Sequence, residues 1–322
     1  MSANAEQYLI DNGAGWRLAM SRTRPAPAAA PAPRPVLIVP GYGMNSYIFG
    51  FHPNGPSLLE CLSARGLETW TVDLRGQGRS MRARGTSRYG LADLAIEDLG
   101  AAIAHVLRHT ETGASNLDII GCSLGTALAF AHVASVPTAP VHALVSMAGL
   151  VTWRDAHPIL RFALGSPRLL GMMRIRNTRR LARIALPVFA RVAPSALSVY
   201  LNGQSTDLSQ AHRMAQTVED PHPFVNREIA EWLKRGDLVV RGVNVSARLP
   251  ALGNPFLCVV ANDDGVVLPA TARHTYDVIG SENKRLLVVG DPDQPIAHAD
   301  LFLCRGAQER IFAPIADFLL DA

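Results

Sequence analysis

The stretch Gly121-Cys122-Ser123-Leu124-Gly125 determines how the rest of the chain is interpreted. It follows a short apolar run, Leu117–Ile120, and leads into a second run, Thr126–Ala134, that has the length of a helix. A serine between two glycines, placed between a strand and a helix, is typical of a nucleophile elbow, in which a sharp turn lifts the hydroxyl above the sheet edge. The glycines remove Cβ atoms that would clash in this turn.

An alternation of short apolar runs and amphipathic segments surrounds the elbow. The predicted strands of this pattern are Val36–Val39, Thr69–Leu74, Leu117–Ile120, Val141–Met147, Phe256–Val260 and Arg285–Val289. The segments between them have helical periodicity, as in Leu91–Arg108. This order predicts an α/β fold with a mostly parallel sheet flanked by helices.

The alternation is interrupted once, which divides the chain into three parts. Residues 1–151 form the first part of the core, with a predicted hairpin around Asn12-Gly13 and an exposed Pro/Ala linker at 25–35. Residues 152–250 give helix-like segments broken by prolines, without a convincing strand pair, and are predicted to be a helical lid. Residues 251–322 return to the core pattern.

Two neighbouring side chains of the elbow are candidate nucleophiles. Ser123 holds the central position, so we predict that its hydroxyl is the nucleophile. A thiolate is intrinsically a better nucleophile than an alcohol, which makes Cys122 the competitor. Cys122 holds the variable position of the motif, whose side chain points away from the reaction face, and we predict a structural role for it.

The remaining catalytic residues follow from chain order. In this arrangement a serine is followed first by an acid and then by a histidine. Asp264 lies after the strand Phe256–Val260, with the adjacent Asp263 as the alternative acid. His298 lies after the strand Arg285–Val289 and is the predicted base, which would take the serine proton while the carboxylate holds its tautomer.

An oxyanion hole requires two backbone N–H groups near the nucleophile. The N–H of Leu124, directly after the serine, is one predicted donor, and that of Tyr42 in the Pro40–Gly43 loop is the other. Removal of one such donor typically costs about 2.7–4 kcal/mol of transition-state stabilisation.

Taken together, these motifs resemble those of the α/β-hydrolase superfamily, in its serine esterase or lipase type. The resemblance rests on Val36–Gly43, Asp73–Ser80, the elbow, Asn262–Pro269 and His298-Ala299-Asp300. A narrower similarity, in Asn45–Leu59, Trp232–Gly236 and His298–Leu301, is to polyhydroxyalkanoate synthase-like and lysophospholipase-like members. The synthases have cysteine as the elbow nucleophile, so Ser123 favours hydrolysis over polymerisation.

The expected activity is cleavage of a carboxylic ester through an acyl-enzyme, with no metal or organic cofactor. An acyltransferase or thioesterase acting on acyl-CoA or hydroxyalkanoate-type substrates is the first alternative, and a non-catalytic binding module is the second. Six lid residues would either line an acyl pocket or form the core of the lid: Phe162, Met172, Met173, Phe189, Tyr200 and Trp232.

The net charge of +4 is unevenly distributed, because residues 151–250 carry fifteen Lys and Arg against seven Asp and Glu. This basic lid is either a solvated surface or a site of peripheral contact with anionic lipid. No nucleic-acid-binding motif accompanies the charge, so nucleic acid is not an expected partner. Scattered cysteines, the lack of a signal-like N-terminus and the lack of a membrane-length apolar run predict a cytoplasmic location.

Overall fold

The computed structural model describes residues 5–172, 175–193 and 197–322. The strands are β1 (Ala5–Asp11), β2 (Trp16–Thr23), β3 (Val36–Val39), β4 (Thr69–Asp73), β5 (Met81–Arg82), β6 (Leu117–Cys122), β7 (Val141–Met147), β8 (Val239–Val240), β9 (Val243–Asn244), β10 (Phe256–Ala261) and β11 (Lys284–Val289). The helices are α1 (Leu58–Ala64), α2 (Leu99–His109), α3 (Leu124–Ser135), α4 (Pro158–Ala163), α5 (Pro167–Met172), α6 (Thr178–Val192), α7 (Ala211–Met214), α8 (Pro223–Arg235), α9 (Val245–Arg248), α10 (Pro269–Val278), α11 (Asp300–Leu303) and α12 (Ala313–Asp321). The π-helical segments Asp93–Asp98 and Gln308–Phe312 lead into α2 and α12.

The main sheet has the strand order β1-β2-β4-β3-β6-β7-β10-β11, with β5 paired to β2. The strands from β4 to β11 in this order are parallel, whereas β1, β2 and β5 pair in the antiparallel sense. Every residue of β3, β4, β6 and β10 is buried, as expected for strands covered on both faces. The predicted α/β fold and the N-terminal hairpin are therefore confirmed.

Alternate residues of each inner strand enter opposite hydrophobic layers. In β3, Leu37 belongs to the layer that contains Phe130 of α3, whereas Ile38 belongs to the layer that contains Leu62 of α1 and Phe318 of α12. This separation follows from the two-residue period of a strand. Helices consequently cover both faces of the sheet, and the carboxyl ends of the parallel strands remain open for a site.

The Pro/Ala tract at 25–35 is more closely tied to the core than an exposed linker would be. The amide of Ala32 donates to the Gly66 carbonyl at 2.8 Å, and the Ala32 side chain is buried. Gly66 adopts φ +87°, and a Cβ there would lie 1.9 Å from the Ala30 carbonyl oxygen. Most of the tract is exposed or half-buried, as expected for a linker, but Ala32 fixes it to the end of α1.

Residues 152–250 lie between β7 and β10 and contain α4 to α9. The expectation of no strand pair in this segment is wrong, because β8 and β9 form an antiparallel hairpin. Its turn residues, Arg241 and Gly242, both have positive φ (47° and 78°), which matches the twist of a two-residue hairpin. Strands of two residues are too short to give a periodic signal. Within the described ranges, no helix is both long and apolar enough to span a membrane.

Candidate active site

Ser123 lies at a strained turn between β6 and α3. Its φ of 52° and ψ of −117° are unfavourable for a residue with a side chain. A Cβ at Gly121 would lie 2.6 Å from the backbone of Thr126, and one at Gly125 would lie 2.3 Å from the Val39 carbonyl oxygen. The two glycines are therefore required by the close approach of β6, α3 and β3, and the tight turn leaves the Ser123 side chain partly exposed.

The loop after β3 lies directly against this elbow. A Cβ at Gly41 would be 3.0 Å from the Ser123 Cβ. Tyr42, Ser123 and Leu124 all line one cavity, and the N–H of Leu124 opens α3, where the first amides have no partner within the helix. The Tyr42 hydroxyl donates to Asn226 Oδ1 of α8, which anchors this loop to the 152–250 segment.

Asp264 and His298 form a buried pair next to the elbow. His298 Nδ1 donates to Asp264 Oδ2 at 2.7 Å, and in the neutral imidazole with its proton on Nδ1 the other ring nitrogen, Nε2, is able to accept a proton. The other carboxylate oxygen, Oδ1, accepts the amides of Val266 and Val267, each at 2.8 Å. Asp264 is 2% exposed and His298 is 7% exposed, so the pair is shielded from solvent.

The neighbouring Asp263 does not contact His298. Its side chain is exposed, although its amide donates to the Ile296 carbonyl at 3.0 Å. Asp263 is exposed whereas Asp264 is buried, and only the Asp264 carboxylate is hydrogen-bonded to His298.

A segment between α6 and α7 holds the loops that carry both residues. The Val199 carbonyl accepts the Gly265 amide at 3.1 Å, and the Tyr200 carbonyl accepts the Ala299 amide at 2.8 Å. The Tyr200 ring also lies 5.8 Å from the His298 ring between centroids. These contacts position the Asp264 and His298 loops relative to each other.

Asp300 supports the loop that carries His298. Its carboxylate is buried and accepts the Ala297 amide at 2.8 Å, the Thr206 hydroxyl at 2.6 Å and the Asn202 amide. Burial raises the pKa of Asp300 to about 6, against the opposing effect of these hydrogen bonds. Asp300 therefore ties the loop to the 152–250 segment.

No hydrogen bond joins Ser123 Oγ to His298 Nε2 among the described residues. The hydrogen-bonded pair of Asp264 and His298 and the turn at Ser123 therefore lie near each other without a direct hydrogen bond between them. Val266 and Val267, whose amides bind Asp264, line the same cavity as Ser123. Such a contact often becomes short only when substrate is bound.

The cavity has a volume of about 110 Å³ and is almost entirely apolar. Its lining residues are Tyr42, Ser123, Leu124, Leu150, Trp153, Leu160, Leu164, Asn226, Ile229, Trp232, Val266 and Val267. Leu160 and Leu164 were not among the predicted site residues, and they stand at i, i+4 spacing along and just after α4. That spacing was the available signal for a helix face directed at the site.

The six residues of the 152–250 segment that were expected to line a pocket or to form a core have different surroundings in the structure. Trp232 lines the cavity, whereas Phe162, Met172 and Phe189 are exposed and fulfil neither expectation. Tyr200 faces His298 rather than the cavity. Met173 lies outside the described residues. Arg174, one of the arginines of the basic 152–250 segment, and residues 1–4 lie outside them as well.

Cys122 lies on the opposite side of the elbow from the cavity. Its side chain is fully buried in the hydrophobic layer with Ile38 and Val145, and burial raises the pKa of its thiol well above the usual value. A buried thiol of this kind is not a thiolate at neutral pH. In the described part of the chain, no group of three His, Cys, Asp or Glu side chains is placed to hold a metal ion.

A strained serine elbow at the edge of a mostly parallel sheet, followed in the chain by a carboxylate–histidine pair, defines the class of α/β hydrolases. The family model described as serine aminopeptidase, S33, matches residues 34–290. The chain therefore belongs to this family of α/β hydrolases, which confirms the broader resemblance. The narrower similarity to polyhydroxyalkanoate synthase-like and lysophospholipase-like members stays a prediction.

Solved structures with the same fold cover nearly the whole chain. An esterase from Exiguobacterium antarcticum has a TM-score of 0.63 at 17% identity, covering 98% of this chain and 99% of that chain. An esterase from Rhodococcus sp. ECU1013 has a TM-score of 0.60 at 19% identity, covering 98% of each chain. An α/β hydrolase from Novosphingobium aromaticivorans has a TM-score of 0.62 at 19% identity, covering 100% of each. No curated protein sequence matches the chain.

Proposed function

We propose that this α/β hydrolase cleaves carboxylic esters with a short acyl group, using Ser123 as nucleophile, His298 as general base and Asp264 as the orienting acid. The observation that carries the proposal is the 2.7 Å hydrogen bond between His298 and Asp264 beside the serine elbow. An imidazole held in this tautomer has its Nε2 available for a serine proton, which is the arrangement that activates a hydroxyl.

In the first half of the reaction, Ser123 Oγ attacks the ester carbonyl carbon while His298 Nε2 takes the hydroxyl proton. The carbonyl oxygen becomes an oxyanion that the N–H groups of Leu124 and Tyr42 stabilise. When the tetrahedral intermediate collapses, the bond to the alcohol oxygen breaks and His298 returns the proton to the leaving alcohol. The acyl group remains on Ser123.

In the second half, a water molecule replaces the alcohol. His298 Nε2 accepts a proton from the water as its oxygen attacks the acyl-enzyme carbonyl, and the same two amides hold the oxyanion. Collapse breaks the bond to Ser123 Oγ, which recovers its proton from His298. The products are the carboxylic acid and the free enzyme.

The size and polarity of the cavity support a short acyl group. An apolar cavity of about 150 Å³ accommodates benzene, with six carbons, so 110 Å³ accommodates an acyl chain of about four carbons. No carboxylate lines the described cavity to bind the ammonium group of a peptide N-terminus. This absence favours an ester over an aminopeptidase substrate within the S33 family.

Residues 152–250 would act as the lid over this cavity. Leu160, Leu164 and Trp232 of this segment supply part of its wall, and Asn226 holds the Tyr42 loop. A wall built by the insertion lets this segment select the acyl chain, and we propose that role for it.

Labelling with a fluorophosphonate probe, measured by intact mass, tests the nucleophile. We expect one adduct on the wild type and on Cys122→Ala, and none on Ser123→Ala, because only an activated serine reacts. Labelling that survives in Ser123→Ala, or that is lost in Cys122→Ala, would assign the nucleophile elsewhere.

A series of p-nitrophenyl esters tests the substrate class. We expect kcat/KM to be largest for acyl chains of about four carbons and to fall steeply for long chains, since these exceed the cavity. A comparison with acyl-CoA of equal chain length separates the alternative: faster turnover of the thioester, or acyl transfer to an added alcohol in preference to water, would favour a thioesterase or acyltransferase.

A further inference from the structure

Exposed apolar side chains are concentrated in one part of the 152–250 segment. Eleven of the sixteen large hydrophobic side chains that are exposed in the described residues lie between positions 159 and 200. Scattered exposed hydrophobic residues are normal in a soluble protein, whereas a concentration of them marks an interaction surface.

Helix α6 presents an apolar stripe to solvent instead of to the core. Leu181, Ile184, Val188 and Val192 are spaced by three, four and four residues, which places them on one face, and they are 65%, 64%, 53% and 79% exposed. Leu186, on the opposite side of the helix, packs against the hydrophobic core. The usual amphipathic arrangement of a surface helix is therefore inverted.

The charged residues in the part of the chain around α6 have a single sign. Residues 156–206 contain eight arginines and no Asp or Glu. On α6, Arg179 pairs with Glu219 of the same 152–250 segment. Arg180, Arg183 and Arg191 are exposed and have no carboxylate partner among the described residues. Arg180 and Arg191 flank the apolar stripe on one side, as their position on the helical wheel requires.

We propose that this surface, the α6 stripe with its flanking arginines, docks on an anionic lipid bilayer. The arginines would meet lipid phosphates, and the Leu, Ile and Val side chains would enter the boundary between headgroups and acyl chains. A second copy of the chain fits less well, because a two-fold contact would bring two copies of the same arginine-bearing surface together. A nucleic acid would leave the apolar stripe without a partner. The inference does not depend on the proposed triad.

Vesicle flotation of the full chain tests the docking. We expect binding at low salt to phosphatidylcholine vesicles that contain phosphatidylglycerol, with much weaker binding to pure phosphatidylcholine. Arg180→Gln together with Arg191→Gln is expected to weaken binding about 30-fold, since each arginine near an anionic surface contributes about five-fold. The paired control is Arg17→Gln with Arg82→Gln, two exposed arginines of β2 and β5.

The apolar contribution has a matched control in the core sheet. Val188 of α6 and Val288 of β11 are the same residue at 53% and 54% exposure. We expect Val188→Gln to weaken vesicle binding about ten-fold and Val288→Gln to leave it unchanged, because only the first side chain would enter the bilayer. The midpoints of thermal unfolding should be similar in all variants, which verifies that they fold.

Several outcomes would overturn the proposal. Absence of binding to anionic vesicles at low salt, or equal binding by Val188→Gln and Val288→Gln, would exclude a lipid-docking role. Sedimentation that reveals a dimer lost in Val188→Gln would assign the stripe to self-association. Binding to duplex DNA that the arginine variant loses, without vesicle binding, would assign the arginines to nucleic acid.

Discussion

Replacement of Asp264 by Asn is the sharpest test of the acid–base pair, because the contacts of the carboxylate determine how the new amide would be oriented. Asp264 Oδ1 accepts two backbone amides, from Val266 and Val267, while Oδ2 faces His298. If the asparagine turned its NH2 group toward the Val266 and Val267 amides, hydrogen-bond donors would face each other. Both of these hydrogen bonds would then be lost. The amide oxygen should therefore stay with the backbone, and the NH2 group should face His298 Nδ1.

This orientation reverses the tautomer of the histidine. Nδ1 must then accept a hydrogen bond from the asparagine, so the ring proton moves to Nε2, which can no longer take the proton of Ser123. The loss from a wrong tautomer in a Ser-His-Asp triad is about 10⁴-fold in kcat. This corresponds to about 5.5 kcal/mol of transition-state stabilisation.

The assay is steady-state hydrolysis of p-nitrophenyl butyrate at neutral pH by the wild type, Asp264→Asn and Asp263→Asn. Asp263→Asn is the matched control, since it makes the same chemical change at the adjacent, exposed position. We expect its kcat to stay within about two-fold of the wild type, as is usual for a surface substitution. Thermal unfolding of all three proteins verifies that each is folded.

Two results would refute this reasoning. One is a folded Asp264→Asn protein that keeps more than about a hundredth of wild-type kcat, because a reversed tautomer does not permit it. The other is an equal loss in Asp263→Asn, which would make the exposed carboxylate the functional partner of His298.

Three further predictions follow from individual contacts. Gly125→Ala places a Cβ 2.3 Å from the Val39 carbonyl oxygen, so we expect about 1–3 kcal/mol lower stability in urea denaturation; stability equal to wild type would show that the elbow can relax. Burial raises the folded-state pKa of Asp300 to about 6, so its stabilising contribution is complete below pH about 4 and is lost as pH rises through 6. Asp300→Asn should therefore reduce the loss of unfolding free energy between pH 4 and pH 8 by about 3 kcal/mol. A loss equal to that of the wild type would contradict the raised pKa of Asp300. Leu160→Ala enlarges the cavity, so the preferred acyl chain should lengthen by about two to three carbons, and an unchanged chain-length profile would place the acyl group elsewhere.

The sequence was sufficient for the parts of this protein that depend on local chemistry and chain order. Near-continuous apolar runs identify parallel strands because both faces of such strands must be buried. The glycines around Ser123 identify the elbow because no larger residue fits where β6, α3 and β3 converge. The positions of Asp264 and His298 after later strands follow from the fixed order in which strand ends of this fold carry the site.

The hairpin β8–β9 and the close packing of the Pro/Ala tract were missed because neither has a periodic signal. A strand of two residues shows no alternation, and Ala32 is held by one backbone hydrogen bond and a buried methyl group. Contacts of this kind depend on which distant segment lies nearby, which local residue preferences do not encode.

The sequence by itself therefore determined the fold class, the elbow and the order of candidate catalytic residues, since these depend on burial periodicity and backbone space. The sequence favoured Asp264 and left Asp263 as the alternative, and only the tertiary structure decided between them, because the turn buries Asp264 against His298 and leaves Asp263 exposed. The same reason explains α6: its amphipathic pattern is local, but which of its faces meets the core depends on the packing of the helices around it.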